Sequence, residues 1–139
     1  MSDPYDLQRF VEAQDGVYRQ VTAELKDGRK RSHWMWFVFP QVRGLGSSPM
    51  AMRYAIASRP EAEAYLKHPV LGPRLLECTG LMLAHSDRSA HDILGSPDDM
   101  KFRSSMSLFA EVSEKGSPYE RALDLFYGGE RDPLTLARL

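Results

Sequence analysis

Five times along the chain a small residue with a side-chain oxygen stands directly before a proline: Asp3-Pro4, Ser48-Pro49, Ser96-Pro97, Ser117-Pro118 and Asp132-Pro133. Proline cannot donate a backbone hydrogen bond, and its ring fixes φ near the helical value. It is therefore tolerated at the first position of a helix and damaging further in. A serine or aspartate before it can accept from the free N–H groups of the first turn. Each pair thus reads as a helix start, and Asp98, Asp99 and Glu120 follow where acids favour the positive end of the helix dipole. Five such starts in 139 residues leave room only for short helices.

Apolar spacing agrees with this punctuation. Leu7, Phe10 and Val11 form one helical stripe; Val17, Val21 and Leu25 form a second that stops at Asp27-Gly28. Met52, Ala55 and Ile56 follow Pro49, and Ala62, Tyr65 and Leu66 follow Ser58. Leu71, Leu75, Cys78, Leu81 and Met82 mark a longer helix, and Met100, Met106, Phe109, Ala110 and Val112 another. Leu123, Leu125 and Phe126 follow Pro118 and end at Gly128-Gly129. The fold class expected is all-α: residues 1–139 as one compact multihelical domain of roughly seven or eight short helices.

The most unusual segment is RKRSHWMWFVFPQ at 29–41, which holds both tryptophans beside three consecutive cations. At this length period alone does not separate a short buried helix, opened by Ser32 and stopped by Pro40, from a strand. Two readings of its chemistry stand side by side. The aromatics are core and the cations a solvated rim, or the indoles stack on a flat ligand while Arg29 and Arg31 bind its phosphate. On a helix, Trp34 and Trp36 point about 200° apart around the axis, so at least one faces something other than the main core.

The segment SPDDMKFRSS at 96–105 is the second candidate. One of Asp98 and Asp99 is accounted for as a helix-terminus acid, but not both. Lys101 and Ser105 share a helix face, and Asp98 lies one turn before Lys101, so an acid, a base and a hydroxyl line up as general acid–base chemistry would need. Gln14 and Gln41 are polar groups beside apolar segments. Gly44-Leu45-Gly46-Ser47-Ser48 offers backbone N–H groups to an anion, or is a plain connector.

Composition narrows the classes. A net charge of −1 argues against nucleic acid as partner. Cys78 is the one cysteine, so no intrachain disulfide forms, and it reads as a buried, inert thiol. The histidines show no metal-ligand spacing, and no phosphate-loop, dinucleotide or nucleophile-elbow motif occurs, so neither metal nor cofactor is implied. The opening MSDPYDLQRF lacks a secretory pattern and no apolar run reaches membrane-span length, so a soluble cytoplasmic protein is expected.

The blocks RFVEAQ at 9–14, GRKRSHWMWFVFPQ at 28–41, YAI at 54–56, YLKHPVLGPRLLEC at 65–78 and ILGSPDDMKFRSSMSLF at 93–109 carry a resemblance. On them the chain is identified as a member of the uncharacterised bacterial family catalogued as domain of unknown function 1810. That resemblance implies a mainly helical fold and no established activity. In outline, 68–109 is also similar to the C-terminal part of the NADAR family, which implies ADP-ribose-type ligands and N-glycosidic bond cleavage. That family's glycine-rich turn is here SPDDMK, so the likeness implies a ligand class and carries over no catalytic residue.

The resulting expectation is a site for a nucleotide or ADP-ribose-type ligand. Arg29, Arg31, His33, Trp34, Trp36, Gln41, Lys101 and Ser105 would bind it, and Asp98 or Asp99 would stabilise an oxocarbenium ion in an N-glycosidase-like hydrolysis. The competing expectation is a non-catalytic interaction domain whose aromatic and basic patch docks a protein. The first requires the segments around 29–41 and 96–105 to be neighbours in space.

Overall fold

The computed structural model describes residues 3–139. Its elements are α1 (Gln8–Asp15), α2 (Tyr18–Asp27), α3 (Met35–Val38), α4 (Pro49–Arg53), α5 (Arg59–Lys67), α6 (Leu71–Leu83), α7 (Ala90–Leu94), α8 (Asp98–Glu111), α9 (Pro118–Tyr127) and α10 (Pro133–Leu136). The fold is all-α, with ten helices and no strand among the described residues. One isolated parallel bridge joins Val42 to Ile56, through Ile56 N–H to the Gln41 carbonyl at 2.9 Å and Arg43 N–H to the Ile56 carbonyl at 2.8 Å.

Three of the five proline starts form as read. Ser48, Ser117 and Asp132 are N-caps whose side chains accept from Ala51, Glu120 and Leu134 N–H, with proline just inside each helix. The other two differ. Asp3 reaches forward instead, its carboxylate accepting from Leu7 N–H at 2.9 Å and Gln8 N–H at 3.0 Å at the start of α1. Ser96 caps nothing: α8 begins at Asp98 after Pro97, and its first N–H groups are taken by the Gly95 and Pro97 carbonyls. Two further starts come from Ser58, with Pro60 in the first turn, and from Ser89, which forms a capping box with Asp92. Gly28 and Gly128 end α2 and α9 in the left-handed conformation that glycine adopts without a Cβ penalty.

The helix at the centre of the domain is α8. Phe102, Ser104 and the whole run Ser105–Ala110 are buried, which is the pattern of a helix enclosed on nearly all sides. It packs against α3, α5, α7, α9 and α10. The tryptophan segment settles as a helix, but only as the single turn α3, opened by Trp34 rather than Ser32. Phe39 carries its apolar surface into α8, ring to ring with Phe102 at 4.8 Å and 77°. Three residues of the expected stripes fail to reach the core: Met52, Met100 and Leu125 are 66%, 50% and 41% exposed. In α4, a five-residue helix, Met50 packs against the core in place of Met52.

Of the basic run, Arg31 is exposed and paired with Asp27 one turn away at 3.0 Å, both side chains more than half exposed. Exposed pairs of this kind are worth well under about 1 kcal/mol. Arg31→Ala is therefore expected to leave the thermal midpoint within about 2 °C of wild type by calorimetry. A larger drop would mean that its backbone, which Glu24 holds, had been disturbed.

Candidate functional site

The loop after α2 folds back over the start of α8, bringing the two candidate segments together. Lys30 N–H donates to the Ile93 carbonyl at 2.7 Å, and Lys30 Nζ lies 2.8 Å from Asp98 Oδ2. Lys101, one turn along, places Nζ 3.8 Å from Asp98 Oδ1. Each ammonium also sits over an indole, Lys30 5.3 Å from the Trp34 ring centroid and Lys101 5.4 Å from that of Trp36. Asp98 is thus clasped between two cations, each backed by the negative face of an aromatic ring. Asp99 points elsewhere: its Oδ1 accepts from Met100 N–H at 2.9 Å and its Oδ2 lies 3.4 Å from His91 Nδ1.

The other expected ligand groups separate. Trp34 is 1% exposed and donates its Nε1–H to Glu24 Oε1 at 3.0 Å, so its ring is core and has no free face for a ligand. Trp36 is half-buried, with one face covered by Lys101. Arg29, Arg31 and His33 are exposed on the rim. Ser105 is fully buried, and its Oγ has no hydrogen-bond partner. Ser104, one residue earlier, lines the open cleft together with Lys101. The hydroxyl that accompanies Lys101 is therefore that of Ser104 rather than Ser105.

Lys101 and Gln41 do meet, in a cleft of about 470 Å³ between residues 41–51, the start of α8 and α10. Ser104 and Asp132 form its polar side, Ser47 and Ser48 its rim, and the exposed Met100 and Leu134 its apolar lips. Asp132 is only 8% exposed. Its Oδ2 accepts from Ser104 Oγ at 2.8 Å and Thr135 Oγ1 at 2.6 Å, while Oδ1 accepts a single long bond from Leu134 N–H at 3.3 Å. Burial pushes this carboxyl up, but the bonds from Thr135, Ser104 and Leu134 and the Arg103 charge outweigh it and hold it below the ordinary range. The cleft floor therefore carries a fixed negative charge at neutral pH, with Oδ1 able to accept more.

Asp132 was legible in the sequence only as a cap, and it serves as one; its second position, facing Ser104 28 residues away, has no local signal. Cys78 is buried as expected, and burial raises its thiol to about 12, which makes it a poor nucleophile. Among the described residues no group of three or more His, Cys, Asp or Glu side chains converges as a metal site would need. No helix among them is long and apolar enough to cross a membrane.

The helical domain, with its apolar-lipped cleft beside a lysine–aspartate–lysine clasp, lies within residues 4–139. They match the model described as "Protein of unknown function (DUF1810)", and the chain belongs to that family. It is similar to the conserved hypothetical protein Rv1873 from Mycobacterium tuberculosis, known from a crystal structure. The two are 57% identical with a TM-score of 0.96, over 99% of this chain and 98% of that one. No protein of curated function matches. The likeness to the NADAR family rests on the sequence outline of 68–109 alone.

Proposed function

We propose that the Lys101–Asp132 cleft binds a small ligand of the nucleotide or ADP-ribose type. One observation carries this reading: an ammonium and an ionised, under-used carboxylate converge on a single cleft of about 470 Å³, a size ordinary for small-molecule sites. Lys101 would take a phosphate oxygen and Asp132 Oδ1 a sugar hydroxyl, with the Gln41 amide serving either. Met100 and Leu134 would cover the apolar face of a base. Asp98 enters as the group that holds Lys101 against Trp36. Cleavage of an N-glycosidic bond would need a carboxylate facing the sugar, and in this cleft Asp132 is the nearer candidate than Asp98 or Asp99, which are already engaged.

The second reading, a docking face for a protein partner, draws on the exposure of Met100 and Leu134 beside the cleft. A thermal-shift series with NAD, ADP-ribose and simpler nucleotides separates the two. A true ligand at about 100 times its Kd is expected to stabilise the protein by roughly 2.7 kcal/mol. Lys101→Met should keep the fold, because its side chain is more than a quarter exposed, and should abolish the shift. The absence of any shift across the series overturns the nucleotide reading and leaves the docking face.

A further inference from the structure

On the other side of α4 lies a second cleft, of about 450 Å³, between the N-terminal segment and residues 43–57. Its floor is a closed charge pair. Glu61 accepts from Ala57 N–H at 3.0 Å through Oε1 and from Arg9 Nη2 at 2.9 Å through Oε2. The remaining Arg9 donors are taken by the Tyr5, Asp6, Arg53 and Ala55 carbonyls. Arg9 is thus a strut: it ties two walls of the cleft together and has nothing left to offer a ligand.

Two other guanidinium groups line the same cleft, Arg43 and Arg53, and among the described residues neither meets a carboxylate within ion-pair distance. Only Arg53 is held through its side chain, and by means that leave its charge free. Arg43 stands on backbone pinned to Ile56 beside the bridge. Arg53 donates Nε–H to the Tyr54 hydroxyl at 3.3 Å and lies over that ring at 5.6 Å, which leaves both terminal nitrogens unengaged. An arginine oriented by an aromatic neighbour presents its planar fork to a tetrahedral oxyanion at little further cost in side-chain freedom. Asp6, exposed at the rim, is the one carboxylate in the cleft outside the Arg9–Glu61 pair, so two free cations stand against one anion.

We infer that this second cleft is a binding site for a phosphate-bearing small molecule, gripped by Arg43 and Arg53 and independent of Lys101. The volume admits a phosphate ester or pyrophosphate group with a modest substituent. The inference stands whether or not the Lys101 cleft takes a nucleotide.

The test is a titration of the intact protein with inorganic pyrophosphate at constant ionic strength, followed by nitrogen-15 NMR, with Arg43→Ala, Arg53→Ala and Lys101→Met in parallel. The expected result is saturable shifts centred on the Arg43 and Arg53 amides and side-chain Nε–Hε groups. Affinity should fall at least about tenfold in each arginine variant and stay unchanged in Lys101→Met. Two outcomes overturn the inference: non-saturating shifts spread over exposed arginines such as Arg19 and Arg29, or a loss confined to Lys101→Met. Both arginines are exposed, and Arg53 meets the core only at the Tyr54 ring and hydroxyl, so the variants should give native-like spectra.

Discussion

Replacing Phe39 by alanine is expected to cost roughly 3–5 kcal/mol, the range for emptying a large aromatic site in a packed core. Phe39 is 1% exposed and joins three parts of the domain. Its ring lies edge-on to Phe102 of α8 at 4.8 Å and tilted against Trp34 at 6.2 Å, and its backbone N–H closes α3 on the Met35 carbonyl. Aromatic pairs of this geometry add to simple area burial. Collapse into the void is hindered, because Trp34 is fixed by Glu24 and Phe102 also packs on Phe126 at 6.1 Å. Domains of this size are stable by about 5–15 kcal/mol, so the variant should lose a large share of its folding free energy. Urea unfolding by circular dichroism measures it directly; a midpoint within error of wild type would show that Phe39 is not the link between α3 and α8.

How much of this was legible follows from where each signal resides. Helix ends are local: a Ser-Pro or Asp-Pro pair, a Gly after the last apolar residue, and an acid in the first turn lie within a few residues of what they control. Three of the five proline starts and both glycine stops form as read for that reason. Ser96 fails because Gly95 and Pro97 carbonyls supply the capping that its hydroxyl would have given. Burial is partly local. That Trp34 and Trp36 diverge follows from helix geometry, but which one enters the core depends on Glu24, a charged residue ten positions upstream that composition would place in water.

The candidate site shows the same division. Lys101, Gln41 and the 44–48 loop lie in the sequence as recognisable polar groups beside apolar runs. The cleft they form needs Asp132, brought in by the packing of α10 on α8, and a contact across 28 residues leaves no mark on spacing. Equally, the expectation of Asp98 as a candidate catalytic acid left out a packing role: Asp98 neutralises Lys30, whose side chain is 8% exposed and would otherwise be an uncompensated buried cation.

Glu24 gives the second large effect, and one with a pH signature. The residue is 3% exposed, and its carboxylate accepts five hydrogen bonds. These come from Arg31 and Ser32 N–H at 2.8 and 3.1 Å, Ser32 Oγ at 2.7 Å, Trp34 Nε1 at 3.0 Å and Gln20 Nε2 at 3.0 Å. Burial by itself raises the carboxyl, but bonds from Ser32, Arg31, Trp34 and Gln20 prevail and bring it from its ordinary 4.5 down to about 2. A depressed folded-state value means that the unfolded chain binds the proton more tightly. The stabilisation is therefore complete above about pH 4.5 and is lost as pH falls toward about 2. The difference between those two values corresponds to about 3 kcal/mol. Glu24→Gln should lose an amount of that order at neutral pH, since its amide turns two donors toward groups that are themselves donors. Near pH 2 the two proteins should converge. Asp132 also titrates below its ordinary range and makes both proteins acid-sensitive, so the informative quantity is the difference between them. Urea unfolding of the pair from neutral pH down to about pH 3 tests this: a gap that does not narrow on acidification would mean that Glu24 acts through its shape and not its charge.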